Sequence, residues 1–305
     1  MVKSEWIICL GGNDNQIPYI EELKIMGYKI ILFDKNQKAP AIPICDLYRK
    51  VGYDDFNSLK NIVNKLREEI YEIKNIFSAS SQFSQLGVSF ISNHLNLKSA
   101  SFEKIEICLD KKRFYKLFLE LKIPIPITFL VNSKQEIYEK IKNTDCNWYL
   151  KSDYGKSPNY IYKINVKNID IENIFWGRDR YLRDSYILQK EFFGDHLRIN
   201  IINQSYLVFS HSNNKLITSE KYIENILNKN IIVELRKLVL RLGFNRYICK
   251  FDLIINENSW SLLDIGIDPP SRMLAYYKEK KINFYELYIK HFFGQKVHFP
   301  YARKI

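Results

Sequence analysis

The sequence predicts an α/β fold at the N-terminus that changes to α+β structure in the C-terminal part. Residues 6–34 alternate a short apolar strand, a helix and a second strand, an order that requires parallel strands and a right-handed crossover. Residues 247–265 contain two apolar strands separated by Asn256-Glu257-Asn258, which is typical of an antiparallel hairpin. At 305 residues the chain is long enough for two or three packed lobes.

Residues 1–98 are predicted to form a Rossmann-like domain. The strand Trp6–Leu10 ends at the glycine turn GGNDNQ, and a helix follows. The strand Lys29–Asp34 closes this unit, and a second amphipathic helix over residues 59–73 precedes a strand over 75–79. The turn lacks the GxGxxG spacing of a dinucleotide site, so it either presents backbone amides to an anion or permits a tight bend.

From Asp110 onward the pattern changes to short strands separated by polar turns. Pro124 and Pro126 end a helix over residues 114–121 and force extended chain. A polar loop over residues 152–159 separates two strands. The further predicted elements are strands over 148–151, 160–163, 186–189, 198–202 and 207–210, and one helix over 223–242 that ends before Gly243.

The composition is that of a globular protein, with 46% apolar and 26% charged residues. The 46 lysines and arginines against 34 acidic residues give a net charge of +12, which suits a polyanion or an anionic small molecule. Because most basic residues alternate with acidic ones, small anions such as nucleotides are favoured over nucleic acid. Five widely spaced cysteines and the absence of a long apolar run predict a soluble cytoplasmic protein with reduced thiols.

Two aspartates form the strongest candidate site. Asp252 lies in the strand CKFDLII and Asp264 in the strand SLLDIGI, and the predicted hairpin makes these strands antiparallel neighbours. Two carboxylates in apolar surroundings with no basic residue between them would raise each other's pKa or bind a divalent cation. Hard oxygen ligands of this kind suit Mg²⁺. The alternative is a pair of solvent-facing aspartates on an edge strand.

Further residues could contact an anionic ligand. Lys111 begins a helix and Lys151 ends an apolar strand before the polar loop, and an ammonium at either position can reach a phosphate. Residues 189–195 (QKEFFGD) would give a purine an apolar slot with exposed backbone groups, unless the aromatic pair packs in the core. Arg272 follows a rigid Pro-Pro turn and would reach a carboxylate or phosphate, or else cap a helix. A lone histidine such as His196 is more often structural than catalytic.

Five motifs, in this order along most of the chain, resemble the ATP-grasp superfamily, particularly carboxylate–amine ligases with an N-terminal pre-ATP-grasp domain. They are LGGNDN…LKIMGYKIILFDKN, CLDKKRFYKLFLELKIPIP, WYLKSDYG, ILQKEFFGDHLRINII and KFDLIINENSWSLLDIGIDPPSR. The resemblance implies a pre-ATP-grasp domain over residues 1–98 and an ATP-grasp domain over 99–305. Within the second domain it implies a small mobile lobe over residues 124–187 and a C-terminal lobe over residues 188–305.

The resemblance also implies how ATP would be bound. Lys111 and Lys151 would contact the phosphates of ATP. The loop after Lys151 would close over the nucleotide and exclude water. The adenine and ribose would be bound by Gln189, Lys190, Glu191, Phe192, Asp195 and His196.

A metal site and one catalytic residue follow from the same resemblance. Asp252 and Asp264 would hold Mg²⁺, with Mn²⁺ as a substitute, against the phosphates. Arg198 would face the acyl phosphate or the substrate, and Arg272 is expected to be a second catalytic residue from its place after the Pro-Pro turn. The family's second metal strand usually reads Glu-x-Asn, whereas this chain has a glycine in the third position and therefore lacks an amide ligand. Asp268 is expected to stand in for that ligand; the alternative is a site with one metal ion or with weak catalysis.

The function predicted in this way is an ATP- and Mg²⁺-dependent ligase that forms carbon–nitrogen bonds. It would activate a small-molecule carboxylate as an acyl phosphate, which an amine or a similar nucleophile then attacks. The alternatives are a phosphotransferase with another acceptor, a nucleotide-binding or regulatory protein with an altered acidic site, and a nucleic-acid binder. The expected partners are small molecules and a second copy of the chain in a homodimer, with no membrane.

Overall fold

The computed structural model of the chain describes residues 5–69, 72–154, 161–165 and 185–305. In these segments the strands are β1 (Glu5–Leu10), β2 (Lys29–Asp34), β3 (Leu47–Lys50), β4 (Glu72–Phe77), β5 (Thr128–Val131), β6 (Trp148–Ser152), β7 (Ile161–Ile164), β8 (Tyr186–Lys190), β9 (Asp195–Ile202), β10 (Ser205–Ser210), β11 (Ile248–Ile255), β12 (Trp260–Gly266) and β13 (Arg303–Lys304). The α-helices are α1 (Ile17–Ile25), α2 (Phe56–Glu68), α3 (Ser84–His94), α4 (Phe102–Ile107), α5 (Lys111–Glu120), α6 (Lys134–Ile141), α7 (Glu220–Asn228), α8 (Ile231–Leu242), α9 (Ser271–Glu279) and α10 (Phe284–Phe292).

The N-terminal sheet is parallel and has the strand order β3-β2-β1-β4. Its central strands are continuous runs of Ile, Leu and Phe because both faces of a parallel sheet are covered by helices. The predicted β-α-β unit is therefore confirmed. In the glycine turn after β1, the amide of Gly12 donates to Asp34 Oδ2 over 2.6 Å, so this amide binds a side chain of the protein itself.

A second, smaller sheet is antiparallel and has the order β5-β8-β6-β7. Together with α6 it encloses a small hydrophobic core of its own. The buried members of that core are Val131, Ile137, Ile141, Trp148, Leu150, Ile164, Tyr186 and Leu188.

The C-terminal sheet is antiparallel, with the order β12-β11-β9-β10-β13. It contains the predicted hairpin, in which β11 pairs with β12. Asn256 forms the turn, because its side-chain oxygen accepts hydrogen bonds from the amides of Asn258 and Ser259. The hairpin and its turn are confirmed.

The parallel sheet and the C-terminal sheet share one large hydrophobic core. Helix α10 packs against α1, and the ring of Tyr288 lies 5.6 Å from that of Tyr19. Phe292 contacts Phe77 of β4 at 5.4 Å between ring centroids. These aromatic contacts fix the first hundred residues against the end of the chain.

Two predicted helices differ from the structure. The helix over 59–73 ends at Glu68, because the residues from Glu72 onward pair with β1 in the parallel sheet. The single helix over 223–242 is two helices, α7 and α8, because Asn230 between them adopts a left-handed conformation with φ 55°.

The domain boundaries stay a prediction. The predicted boundary between the two lobes, at residues 187 and 188, falls inside β8, and β8 is hydrogen-bonded to β6 in the small sheet. No helix in the described segments is long and apolar enough to cross a membrane.

Candidate active site

Three strands of the C-terminal sheet bring charged residues side by side. Arg198 on β9, Asp252 on β11 and Asp264 on β12 are cross-strand partners in one row. Each of these side chains is half-buried. The row forms the centre of the candidate site, and it holds both aspartates that the sequence singled out.

Arg198 binds Asp252 through two parallel hydrogen bonds. The Nε–Oδ1 distance is 2.7 Å and the Nη2–Oδ2 distance is 2.6 Å. Burial alone would raise the pKa of Asp252, but the hydrogen bonds and charge of Arg198 outweigh it and hold that pKa below its usual value. Arg198 lies on the side of Asp252 away from Asp264, so no base lies between the aspartates, but the expectation that they raise each other's pKa is wrong for Asp252.

The other two predicted metal ligands, Asp268 and Asp264, have different hydrogen-bond partners. Asp268 accepts a 2.5 Å hydrogen bond from the ammonium of Lys250. Asp264 accepts a hydrogen bond from the amide of Ile265 at 3.0 Å. Among the described residues there is no group of three or more Asp, Glu, His or Cys side chains placed to share one metal ion. Asp264 and the remaining lone pairs of Asp252 fit one divalent cation, but a site with two metal ions does not fit these residues.

Lys151 on β6 belongs to a buried chain of hydrogen bonds. Its Nζ donates to Gln189 Oε1 over 2.6 Å, and Gln189 Nε2 donates to the hydroxyl of Tyr115 over 2.9 Å. The Tyr115 hydroxyl donates to the carbonyl of Leu263, next to Asp264. This chain links the small sheet to the acidic strand β12.

The charge of Lys151 is coupled to the other candidate residues. Burial lowers its pKa to about 8, Asp264 raises it, Lys111 lowers it and Asp252 raises it. These four residues come from the start of α5 and from strands in two sheets. Their electrostatic coupling shows that the fold gathers them in one region of the molecule.

Lys111 is positioned by the first turn of α5. Asp110 caps this helix by accepting hydrogen bonds from the amides of Lys112 and Arg113. The backbone amide of Lys111 donates to the carbonyl of Asp153 over 2.7 Å, just beyond β6. The start of α5 is thereby joined to the strand that carries the second lysine.

The connection between β8 and β9 contains the predicted adenine slot. The amide of Lys190 donates to the carbonyl of Ile127, and the amide of Glu191 donates to that of Asn147. The Glu191 carboxylate accepts hydrogen bonds from Asn147 Nδ2, Tyr149 and Lys163 Nζ. That side chain is thus fixed within the small lobe, while Phe192 is half-buried.

Asp195 and His196 begin β9 beside a cavity of about 430 Å³. Asp195 accepts a 2.7 Å hydrogen bond from the hydroxyl of Tyr222. The ring of His196 stacks on His211 with 3.8 Å between centroids. Burial, with His211 as the next cause, lowers the pKa of His196 to about 4, so the imidazole is neutral at pH 7.

Arg272 lies in the first turn of α9 and lines a cavity of about 870 Å³. Arg198 lines the same cavity, which also contacts Lys215, Lys280 and Glu279. One nitrogen of Arg272, Nη1, is buried without a hydrogen-bond partner in the described segments. The pKa of Arg272 is lowered, first by burial and then by Arg198. The cavity therefore has two guanidinium groups and an excess of positive charge.

The predicted residues thus fall into three groups. The central group is the row of Arg198, Asp252 and Asp264 with the two lysines, and the flanking groups are residues 189–196 and Arg272 at its cavity. Sequence reasoning missed Lys250 and Tyr115, which the structure joins to Asp268 and Gln189. The spacing of Lys250, two residues before Asp252, could have indicated that both lie on one face of β11. The predicted loop after Lys151 lies outside the described residues from 155 to 159.

Comparison with known proteins finds one similar sequence and several similar solved structures. No family model matches the chain. Over 143 residues the chain is 24% identical to the carbamoyl phosphate synthase large chain of Clostridium acetobutylicum, a match that covers 46% of this chain and only 13% of that protein. The chain thus matches a small part of that relative's length.

Solved structures match over nearly the whole chain. An L-amino acid ligase from Bacillus licheniformis has a TM-score of 0.70 at 13% identity and covers 97% of this chain and 75% of its own. The biotin carboxylase domain of Hydrogenobacter thermophilus 2-oxoglutarate carboxylase, in complex with MgADP and bicarbonate, has a TM-score of 0.67 at 11% identity and covers 96% and 70%. The chain therefore shares the fold of these two proteins, in agreement with the predicted ATP-grasp fold.

Proposed function

We propose that this protein is an ATP-dependent ligase that activates a small-molecule carboxylate and joins it to an amine or a similar nucleophile. The observation that carries the proposal is the position of Lys151, whose buried ammonium is linked by hydrogen bonds through Gln189 and Tyr115 to the strand of Asp264 and is coupled to the charges of Lys111, Asp252 and Asp264. Two ammonium groups and two carboxylates gathered in one region suit a magnesium nucleotide, because the lysines match its phosphates and the carboxylates its metal. The neighbour crystallised with MgADP supports this ligand class.

Each part of the nucleotide has residues that suit it. Lys111 and Lys151 would bind the phosphates. The segment from Gln189 to Phe192 would line the adenine slot through backbone groups, since the Glu191 side chain is already engaged in the small lobe. Asp195 or His196 would contact the ribose at the start of β9.

One divalent cation would be held by Asp264 together with Asp252. Mg²⁺, or Mn²⁺ in its place, would neutralise charge on the phosphoryl group during transfer. Arg198 keeps Asp252 ionised, and because it binds both oxygens of Asp252, Asp264 would provide most of the ligation. The same guanidinium adds a positive charge beside the phosphates.

The large cavity suits an acidic substrate. Arg198 and Arg272 both line it, and Arg272 Nη1 would gain a partner from a bound carboxylate. The substrate carboxylate would attack the γ-phosphorus, forming an acyl phosphate and releasing ADP. The amine would then attack the acyl carbon and release inorganic phosphate. Lys215 and Lys280 make the cavity favourable for substrates with a second negative charge.

A second candidate function is nucleotide binding without turnover. It is favoured by the two ion pairs, Arg198 with Asp252 and Lys250 with Asp268, because each engages a carboxylate that a metal ion would otherwise use. A regulatory nucleotide-binding protein would need no second metal and no acyl acceptor. A phosphotransferase with another acceptor would use the same nucleotide site.

ADP release measured with MgATP and a panel of carboxylates and amines distinguishes these functions. Hydroxylamine in place of the amine traps an acyl phosphate as a hydroxamate, whereas phosphoryl transfer to a hydroxyl group gives none. We expect carboxylate-dependent ADP and hydroxamate from the wild-type chain. Asp264→Asn should abolish both while its melting temperature stays unchanged, and Asp145→Asn on the exposed surface serves as the control. Nucleotide binding with no ADP from any substrate would contradict the ligase proposal.

Cellular location and oligomeric state stay predictions. The wide spacing of the cysteines favours the cytoplasm, and all five are free thiols in the structure. The Hydrogenobacter domain was crystallised as a dimer, which is consistent with a homodimer here.

A further inference from the structure

A second row of residues lies beside the row that holds the aspartates. Lys250 on β11 pairs across the sheet with Asn200 on β9 and with Gly266 on β12. Each of these residues is two positions from its counterpart in the first row, so both rows share one face of the sheet. Lys250 is only 5% exposed. A buried ammonium therefore lies on the same face as the candidate metal ligands.

The side chain of Lys250 occupies space that the glycine leaves open. A Cβ atom at position 266 would lie 2.6 Å from Lys250 Cε and 3.3 Å from Nζ. The same atom would lie 3.3 Å from Asp268 Oδ1, which accepts the 2.5 Å hydrogen bond from Lys250. Any side chain at position 266 would therefore displace the lysine from its present position. Gly266 and Lys250 form one steric unit.

Asn200, on the other side of Lys250, provides a second observation. It is fully buried, and in the described segments neither its side-chain oxygen nor its nitrogen has a hydrogen-bond partner. Buried amides almost always have partners, and an orphaned one indicates a bound ion, a ligand or water. The row thus combines a buried cation with an amide that has unused hydrogen-bonding capacity.

Keeping an ammonium buried is costly in free energy, even when the ammonium is paired. An apolar residue of similar volume would fill the same space without that cost. The lysine is a compact point charge with three donors, and it interacts well with phosphate oxygens. Lys250 lies beside Asp268, and the charge of Asp268 also raises the pKa of Arg198. Lys250 is therefore linked electrostatically to the first row.

We propose that Lys250 is a built-in cation that replaces a second metal ion at the nucleotide phosphates. In this arrangement the site uses one divalent ion, at Asp264 and Asp252, and one fixed ammonium over Gly266. Asn200, which is fully buried, would bind a water molecule enclosed beside Lys250 rather than the nucleotide itself. The inference rests on the proposed nucleotide site and adds a specific cation composition to it.

The number of Mn²⁺ ions bound with AMPPNP, measured by EPR titration, tests this inference without any turnover. We expect one Mn²⁺ per wild-type chain. Lys250→Ala/Gly266→Asn exchanges the ammonium for an amide oxygen beside Asp264 and Asp268, and we expect two Mn²⁺ per chain in this variant. Lys237→Ala, which removes an exposed lysine, should bind one.

The single variant Lys250→Met provides a second test in case the double variant does not fold. It should weaken AMPPNP binding about tenfold to a hundredfold at saturating Mn²⁺, with the stoichiometry still one. Two Mn²⁺ bound to the wild-type chain, one bound to a folded double variant, or unchanged AMPPNP affinity in Lys250→Met would each overturn the inference. If AMPPNP does not bind the wild-type chain at all, the proposed function itself fails.

Discussion

Arg198 changes the chemistry of two neighbouring aspartates. Without it, burial would favour the neutral form of Asp252. Its two hydrogen bonds to Asp252 keep that carboxylate ionised at neutral pH. A single residue thereby determines how much negative charge this row of the sheet can offer to a metal ion.

Replacing Asp252 should reveal this interaction as a pH-dependent loss of stability. Asp252→Asn leaves Arg198 without its charged partner, so we expect the free energy of unfolding at pH 7 to fall by about 3 kcal/mol. Because the folded-state pKa of Asp252 lies below its ordinary value of 3.8, the stabilisation is present above pH 4 and is lost as the pH falls through the folded pKa. Urea unfolding at several pH values between 3 and 7 measures the difference. A gap between wild type and variant that stays constant down to pH 3 would contradict the assignment.

Lys151 should make nucleotide binding weaker in alkaline solution. With a pKa of about 8 the ammonium loses its proton between pH 7 and 9, so AMPPNP affinity should fall roughly tenfold over that range. Lys151→Arg should bind with an affinity that does not change with pH, since a guanidinium stays charged. The free energy of unfolding of the ligand-free protein changes with pH in the opposite direction to the affinity. Unfolding takes up a proton between pH 8 and 10.5, so stability rises with pH in that window. Calorimetric titrations at each pH test the affinities, and equal pH profiles for both proteins would contradict the role.

The site residues that the sequence revealed are those whose environment is local. Asp252 and Asp264 stand out because each interrupts an apolar strand, and the short turn between the strands predicts their pairing. Arg198 could not be paired with Asp252 in the same way, since 54 residues separate them and only the β9–β11 register joins them. The position of Lys250 could not be predicted, because no local sequence feature indicates that Gly266 leaves room for its side chain.

Among the elements, strands bounded by turns were predicted best. Lys29–Asp34 has the predicted bounds, because an apolar run between polar turns determines it locally. The helix over 223–242 was wrong because Asn230 takes a left-handed conformation that interrupts an otherwise continuous apolar pattern. The helix over 59–73 was too long, since pairing with β1 claims its last residues for the sheet. Both errors arise where a backbone conformation or a tertiary contact overrides periodicity.

The link between β8 and β9 depends on a glycine. Gly194 has φ 151°, and a Cβ there would lie 2.2 Å from the carbonyl oxygen of Ile255 at the end of β11. We expect Gly194→Ala to lower the free energy of unfolding by about 3 kcal/mol or more, because backbone atoms must move apart. Gly27→Ala, at a glycine with open space around it, should cost about 1 kcal/mol. Chemical denaturation of both variants measures the difference, and equal losses would show that the close contact does not matter.

At the scale of the whole molecule, the nucleotide would touch two separately packed regions. The small lobe with its own core supplies Lys151 and Gln189, and the C-terminal sheet supplies Asp252 and Asp264. In the structure these regions are joined directly by the hydrogen bonds through Tyr115. A ligand that contacts both regions should therefore stabilise their packing against each other.

Nucleotide binding should therefore raise the melting temperature of the whole chain. At a concentration a hundred times its dissociation constant, AMPPNP with Mg²⁺ would add about 2.7 kcal/mol to the free energy of unfolding. For a chain of this size we expect an increase of roughly 5 °C or more. Differential scanning fluorimetry measures it, with adenosine as the control that lacks phosphates. An equal shift from adenosine would show that the phosphate contacts contribute nothing.

The aromatic contacts of Tyr288 and Phe292 with the beginning of the chain have a practical consequence for shortened versions of the protein. Expression of residues 99–305 alone would remove these partners and leave the rings, together with Phe293, facing water. An exposed apolar patch of this kind promotes aggregation, so such a fragment should be recovered mainly as insoluble material. A shortened version of the protein should therefore retain both β4 and α10, whose rings cover each other.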